Sequence, residues 1–354
     1  MPTAAVWFLE VISKPTLFRL HKWCGLAAAI FVLVQAVTGA ILLYRQEISR
    51  VVDPSGMVRH SKGADAPLSQ ILNSIRRNSP DFQIQRVVYP QNRDDPYFVY
   101  LANAVGVMRY ASVDPGTAEI LRLGSAWQFP TQAALLIHYQ LMAGRLGLGF
   151  VLLLGLSLLT SVVSGMTYWW PRQWRGSLSV NFSLSPRLIL RQLHRSLGVV
   201  ASAVLCVSLL TGVLLVIPLL LAPSPLPAAA QDPPFVSKID RIVDLARAEF
   251  PNHDLSYVEM TNPTSIIVNL RAPERNPLAI HSVEFDLASE RMVGKIPADK
   301  DSSLWVVVLP IHMGIILGNE GRFIILLGAF ALAALSISGV LMWYQAARHR
   351  NGRP

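Results

Sequence analysis

The stretch HKWCGLAAAIFVLVQAVTGAILLY, residues 21–44, decides the fold, because no charged side chain follows its second residue. Three further uncharged, apolar stretches lie at residues 146–170, 197–221 and 323–344. Each uncharged run has at least 21 residues, and a helix of that length extends about 31 Å, enough to cross a hydrocarbon core of about 30 Å. The sequence therefore predicts four transmembrane helices. The first run is too long for a cleavable signal peptide.

The composition also excludes an ordinary soluble chain, since 52% of the 354 residues are apolar and only 15% are charged. The net charge of +9 does not indicate nucleic-acid binding, because the excess flanks the spans. Both termini and the short loop between spans two and three hold eleven basic residues against one acidic residue, Glu10. Short basic segments stay in the cytoplasm, so these three are predicted to be cytoplasmic, where they can also contact acidic lipid.

The two halves of the chain carry the same landmarks at the same spacings. In each half, one histidine is followed by glycines 4 and 18 residues later, and a second histidine precedes a glycine by 27 residues and a tryptophan by 31. The landmarks are His21, Gly25, Gly39, His138, Gly165 and Trp169 in the first half, and His194, Gly198, Gly212, His312, Gly339 and Trp343 in the second. This match predicts an internal duplication with a pseudo-twofold axis along the membrane normal.

Each long segment between two spans is predicted to fold as a small α+β domain, with one helix followed by a small antiparallel sheet. Helical periodicity covers residues 69–78 and 237–250, strands are expected at 98–101 and 266–270, and Asp-Pro-Gly at 114–116 is typical of a turn. The predicted fold class is a membrane protein with four transmembrane α-helices and two extracytoplasmic α+β domains. The predicted boundaries are cytoplasmic segments 1–22, 171–193 and 346–354, spans 23–44, 138–170, 194–221 and 312–345, and domains 45–137 and 222–311, with an outer lead-in counted in the second and fourth spans.

Four of the eight histidines lie at duplicated positions beside the membrane, His21 and His194 on the cytoplasmic side and His138 and His312 on the outer side. A single histidine at such a position is often only an interface residue, but four in symmetric pairs indicate a function. One imidazole from each of two facing helices, without carboxylate or thiolate, is the ligand set of a b-type haem, whereas zinc requires more protein ligands. All four histidines are therefore predicted to bind cofactor, as axial ligands of haem iron.

Other residues leave alternatives open. The glycines that follow His21 and His194 share a helix face with the histidine, and they allow the approach of either a porphyrin or a neighbouring helix. Three arginines at the outer helix ends are interpreted as headgroup anchors or as partners of haem propionates. These are Arg45, Arg145 and Arg322. The remaining histidines are interpreted as surface residues, and the two cysteines as packing residues of the spans. These are His60, His253, His281, His349, Cys24 and Cys206.

Several sequence motifs resemble those of a known family: HKWCGL at 21–26, HRSLG at 194–198, SGMTYWWPR at 164–172 and SGVLMW at 338–343. The chain resembles the PepSY-associated transmembrane proteins over nearly its whole length, in particular the di-haem ferric-siderophore reductases of the bacterial inner membrane. The turns at 114–119 and 286–290 resemble those of PepSY domains, although the second lacks the Pro-Gly pair.

The resemblance implies a specific function. His21 with His194 would bind one haem b near the cytoplasmic face, and His138 with His312 would bind a second near the outer face. Electrons from a quinol or a cytosolic reductant would reduce a periplasmic ferric siderophore and release Fe(II). The catalytic residues stay unassigned, and an aromatic cleft near Trp127, Phe129 and Trp305 is the only suggestion for the chelate, although core packing also explains these rings.

Three other functions remain open at this point. The chain is also compatible with a haem subunit that passes electrons to a separate periplasmic reductase. In a non-redox alternative, PepSY-like domains restrain a peptidase and the helices serve only as an anchor. A secondary transporter is disfavoured because the spans lack internal acidic residues and broken helices. No nucleotide-binding fingerprint, Walker motif or His-Glu-x-x-His motif is present.

Overall fold

The computed structural model describes residues 13–171, 176–222, 234–262 and 264–351. Some residues of the charge count, namely Glu10, Arg172, Arg175 and Arg353, lie outside the described residues. The helices are, in chain order, α1 (Lys14–Leu43), α2 (Arg45–Val52), α3 (Pro54–Met57), α4 (Leu68–Asn78), α5 (Pro130–Gln140), α6 (Gly144–Trp169), α7 (Pro186–Leu221), α8 (Pro234–Glu249), α9 (Leu304–His312) and α10 (Gly318–Asn351). The strands are β1 (Gln83–Val88), β2 (Tyr97–Ala102), β3 (Met108–Val113), β4 (Ile120–Gly124), β5 (Leu255–Asn262), β6 (Ser265–Arg271), β7 (Ile280–Asp286) and β8 (Met292–Ile296).

The chain divides into two compact units. The helical unit takes the described residues of 1–43, 134–221 and 311–354, and the sheet unit takes those of 44–133 and 222–310. Four helices of the helical unit are long and apolar enough to cross a membrane, at Lys14–Leu43, Gly144–Trp169, Pro186–Leu221 and Ile315–Arg348. The four spans expected from the sequence are therefore present, and the first helix begins earlier than expected because it includes Lys14, Arg19 and Lys22.

In the helical unit, α1 packs against α6 and α10, and α7 packs against the same two helices, so α1 and α7 stand diagonally opposite. Small side chains are common among the buried residues of this bundle, and many large apolar side chains point outward. Ala28 and Ser164 are 1% and 3% exposed, but Ile30 and Leu146 are 68% and 85% exposed. Such an arrangement, the reverse of a soluble bundle, is what a lipid environment favours, because close packing between helices needs small residues.

The sheet unit is built on one eight-stranded antiparallel sheet in the order β4-β3-β2-β1-β5-β6-β7-β8. Helices α4 and α8 contact each other, and their buried residues Ile71, Ile75, Ile239 and Ile242 join the core of the sheet. The expected helices and strands are confirmed, but the expectation of one small sheet per domain is wrong. Strand β1 pairs with β5 through Arg86, Val87 and Val88, so the two sheets are continuous.

Each half ends its third strand in a similar turn. The carboxylate of Asp114 accepts hydrogen bonds from the amides of His60, Ser61, Gly116 and Thr117. In the other half, Asp286 accepts from the amide and hydroxyl of Ser289. Ala118 and Glu290 close the two turns with left-handed backbone, at φ 57° and 56°. The expected Asp-Pro-Gly turn is thus present, and the second half makes the same turn without Pro-Gly.

The lead-ins of the second and fourth spans are separate short helices, α5 and α9, and not extensions of the spans. Left-handed residues follow each of them, including Gly144 at φ 56° and Gly314 at φ 73°. After each short helix, the backbone passes very close to a glycine in the first turn of the spanning helix. A Cβ on Gly147 would overlap the carbonyl oxygen of Gln140, and one on Gly321 would overlap that of Gly314. Glycine is required at these crossings because no side chain fits.

Candidate functional site

The four histidines singled out from the sequence meet as two pairs within the helical unit. The ring centroids of His21 and His194 are 6.1 Å apart, with an angle of 78° between the ring planes. Those of His138 and His312 are 6.3 Å apart, with an angle of 50°. His21 and His194 belong to the diagonal helices α1 and α7, whereas His138 and His312 belong to α5 and α9, which lead into the other diagonal pair.

Each histidine ring is held at Nδ1 by a neighbouring helix. His21 Nδ1 lies 2.8 Å from the carbonyl oxygen of Ser161, and His194 Nδ1 lies 2.7 Å from the Ser338 hydroxyl. The corresponding atoms of His138 and His312 lie 3.1 Å and 2.9 Å from threonine hydroxyls, those of Thr38 and Thr211. All four rings are half-buried. Nε2 is therefore the ring nitrogen that remains for a metal ion.

A glycine contacts each ring and makes this close approach possible. A Cβ on Gly165 would lie 2.7 Å from His21 Nδ1, and one on Gly39 would lie 3.1 Å from His138 Cε1. The equivalent distances to Cε1 in the second half are 3.3 Å from Gly212 to His312 and 3.6 Å from Gly339 to His194. Sequence reasoning placed Gly39 and Gly212 on the correct helix faces, but it assigned no contact between any of these glycines and a particular histidine.

The separation of the paired rings can be compared with that of two imidazoles bound to one iron ion. Such an iron lies about 2 Å from each nitrogen and each ring centre about 1.1 Å further, which predicts about 6.2 Å between ring centroids. Both measured separations agree with this value. Among the described residues, no further histidine, cysteine, aspartate or glutamate joins either pair to form a group of three ligands. The donor set is therefore bis-imidazole, which suits haem and does not suit structural zinc.

The three outer arginines bind protein groups. Arg45 donates to the side-chain oxygen of Gln132 at 2.6 Å. Arg145 donates to the carbonyl of Leu220 at 2.7 Å, and Arg322 donates to that of Leu43 at 2.5 Å. The carbonyls of Leu220 and Leu43 belong to the last turns of α7 and α1, where they have no partner within the helix. Arg145 and Arg322 thus cap the C-terminal ends of neighbouring helices.

The suggested aromatic cleft is not formed as a cluster of rings. Phe129 is buried and packs against Phe98 and Tyr110, as expected for a core residue. Trp127 and Trp305 are 66% and 42% exposed. A cavity of about 550 Å³ lies instead in the helical unit between α6 and α7, where apolar groups of Val162, Met166 and other residues line it. Met166 follows Gly165, the residue that contacts His21.

The interpretation of the remaining histidines holds only in part. His60 is exposed, but His281 is buried and stacks on Phe250 at 4.0 Å between centroids. Glu274 Oε1 lies 3.3 Å from Nε2 of His253 and 3.6 Å from Nε2 of His281. Sequence reasoning missed this cluster because it joins a strand and two loops that no local pattern connects. The side chain of His349 lies outside the described residues.

Three ligand-type side chains in one place suggest a metal site, but the hydrogen bonds of His281 favour another explanation. The amide of Ala298 donates to His281 Nδ1 at 3.0 Å, so the proton of the neutral ring lies on Nε2, the atom that faces Glu274. Burial and the neighbouring His253 lower the pKa of His281, which keeps the ring neutral. A metal ion at Nε2 would have to remove that last proton. We therefore interpret this cluster as a hydrogen bond between His253 and Glu274 beside the neutral ring of His281.

Comparison with known proteins gives one result at the level of the family. A search of curated proteins finds no match. The family described as the PepSY-associated TM region matches residues 18–346. The match begins within the first span and ends within the fourth, and it includes both strand-bearing segments and the four paired histidines. Since it covers most of the chain, the chain belongs to the PepSY-associated TM family.

Proposed function

We propose that this protein is an internally duplicated oxidoreductase of the bacterial inner membrane that binds two haem b groups. His21 and His194 hold one haem, and His138 and His312 hold the other. The observation that carries the proposal is the separation of both ring pairs, 6.1 Å and 6.3 Å between centroids, at the value for two imidazoles on one iron. Bound haem supplies a one-electron Fe(III)/Fe(II) couple.

The residues of the chain hold and orient these groups. The diagonal helices α1 and α7 present one histidine each, and neighbouring helices fix both rings through Ser161 and Ser338. The outer pair is held by Thr38 and Thr211. Glycines let the ring edges approach the helices closely. These contacts fix the orientation of each ring, which lowers the cost of ordering the ligands.

The direction of electron transfer follows from the topology that the charges favour. The basic segments favour a topology with both termini in the cytoplasm and the sheet unit on the extracytoplasmic side. A quinol or a cytosolic reductant would supply the electrons, and a ferric siderophore outside would accept them. Haems held by the inner and outer histidine pairs would connect the two sides. The open apolar groove lined by Val162 and Met166 is where we expect a lipid-soluble quinol to bind. Reduction releases iron because hard oxygen donors hold Fe(II) less tightly than Fe(III).

The first test is the haem content of the protein purified in detergent. We expect two haems per chain by the pyridine haemochrome method and a low-spin six-coordinate spectrum, oxidised and after dithionite. His21→Ala and His138→Ala should each remove one haem, whereas His60→Ala, at an exposed histidine, should remove none. A chain that binds no haem despite ample supply would contradict the redox proposal. It would favour the non-redox alternative, in which PepSY-like domains restrain a peptidase and the helices serve as an anchor.

A second test separates the reductase from an electron-transfer subunit. The dithionite-reduced protein, freed of excess reductant, is mixed with a ferric siderophore in the absence of any partner protein. A reductase reoxidises its haems at a rate that rises with siderophore concentration, and Fe(II) appears in a ferrozine assay. Haems that stay reduced until a periplasmic extract is added would indicate a subunit serving a separate reductase.

A further inference from the structure

We propose that Thr38 and Thr211 are positioning residues that hold the outer histidines with their ring proton on Nδ1, so that the lone pair of Nε2 points away from the threonine and stays available to a metal. The inference about the proton stands on hydrogen-bond geometry alone. Its consequence for haem rests on the proposed function.

The Thr38 hydroxyl has a single proton to donate. This oxygen lies 2.7 Å from the carbonyl oxygen of Val34 and 3.3 Å from that of Gln35. A carbonyl oxygen can only accept, so the hydroxyl donates its proton to the backbone. The contact of 3.1 Å between the same hydroxyl and His138 Nδ1 then requires the imidazole to donate. The ring proton of neutral His138 therefore lies on Nδ1.

The second half repeats the arrangement with different neighbours. Thr211 lies 2.7 Å from the carbonyl oxygen of Val207, 3.1 Å from that of Ser208 and 2.9 Å from His312 Nδ1. Both threonines are buried, at 7% exposure each, so water does not compete for these bonds. Two independent hydrogen-bond sets give the same tautomer, the one with Nε2 unprotonated.

An acceptor on Nδ1 also changes the imidazole as a ligand. A ring that donates a hydrogen bond from Nδ1 is more basic at Nε2 and stabilises Fe(III) relative to Fe(II). Removing the acceptor should therefore weaken iron ligation and raise the reduction potential of that haem. At the inner pair, His21 donates to a backbone carbonyl, which no side-chain substitution removes. At the outer pair, Thr38 and Thr211 contribute the contacts at Nδ1 that a side-chain substitution can remove, beside hydrogen bonds to the backbone of Gln35 and Ser208 that stay in place. The Ser338 hydroxyl has the same position at His194 of the inner pair.

The test replaces each hydroxyl by a methyl group. We expect Thr38→Val and Thr211→Val to lose haem to an apoprotein scavenger about 10–100-fold faster at one site, the range typical of such partners, and to raise one of the two midpoint potentials. Thr38→Ser and Thr211→Ser keep the hydroxyl and should restore both values. The matched control is Thr160→Val, because the exposed Thr160 makes the same bond to its helix, to the carbonyl of Leu156 at 2.9 Å, without touching a histidine.

Unchanged haem loss and potentials in both valine variants, or equal changes in the Thr160 variant, would overturn the inference. If the unaltered chain binds no haem, the proposed function fails, and the tautomer is then measured from the ¹⁵N chemical shifts of labelled histidines in detergent. Protonated Nδ1 with unprotonated Nε2 at His138 and His312 supports the inference in that case, and protonated Nε2 refutes it.

Discussion

At the level of single residues, the two halves of the protein differ in how closely a glycine approaches its histidine. A methyl group on Gly165 would lie 2.7 Å from His21 Nδ1, closer than real side chains come, whereas one on Gly339 would lie at an ordinary 3.6 Å from His194 Cε1. We expect Gly165→Ala to displace the His21 ring and lower the haem content of the inner site, and Gly339→Ala to leave it unchanged. The haem content per chain and the spectrum of the reduced protein measure the effect of each variant.

The comparison is internally controlled, because alanine favours a helix over glycine by about 1 kcal/mol. Loss of haem in the Gly165 variant cannot then result from a weakened helix. Equal haem content in the two variants would show that the His21 ring can move without cost, and that the close contact has no functional role.

The sequence could reveal the histidine pairs but not their surroundings. His21 and His194 were assigned together because their landmarks repeat and both lie on the same predicted side of the membrane. Spacing along one helix gives the face on which Gly39 lies, but it cannot tell that the neighbour on that face is His138, which arrives on a separate helix. The contact depends on the left-handed turn after α5, and backbone turns of this kind leave little trace in periodicity.

At the level of elements, the turn after β3 depends on the charge of Asp114. Burial alone would raise the pKa of this carboxyl, but the Ser61 hydroxyl and the amides of Ser61, His60 and Thr117 lower it well below its usual range. A carboxylate with a lowered pKa stabilises the fold above the unfolded value of about 4, and this contribution is lost as pH falls below it.

We therefore expect Asp114→Asn to destabilise the sheet unit by about 1–3 kcal/mol at pH 7, because one acceptor and the charge are lost. The difference from the unaltered chain should shrink below about pH 4. Hydrogen–deuterium exchange of the β2 and β3 amides, with variant and unaltered chain compared at equal pH, measures this loss of stability. The control is Asp81→Asn, at an exposed position. A difference that is the same at pH 7 and pH 3 would exclude the carboxylate charge as the cause.

Strands were easier to predict than the sheet they form. The strands expected at 98–101 and 266–270 correspond to β2 and β6. The two halves of the sheet join through β1 and β5, which belong to different halves of the chain and are not connected by a turn. Their pairing places Val87 opposite Val258 and the oppositely charged Arg86 and Glu259 side by side, with 2.6 Å between Arg86 Nη2 and Glu259 Oε1. Only the folded chain reveals such a contact, since pairing between distant strands leaves no local pattern.

At the level of the whole molecule, the charge distribution predicts which side of the membrane each unit faces. In a chain with Cys24→Ala and Cys206→Ala, we expect Val105→Cys to react with a membrane-impermeant maleimide on intact spheroplasts. Phe182→Cys should react only after the membrane is opened. Both positions are open to solvent on the isolated chain, at 83% and 73% exposure, so access to the reagent decides the result. The reverse pattern would invert the proposed direction of electron transfer.

The short helices α5 and α9 have a consequence for partial unfolding. Each begins in the sheet unit and ends in the helical unit, at His138 or His312. The inner histidines, in contrast, lie on α1 and α7, which belong entirely to the helical unit. A local opening that melts the sheet but spares the bundle therefore frays the two helices that carry the outer pair and leaves the inner pair in place. We therefore expect the outer pair of histidines to separate before the inner pair as the protein unfolds.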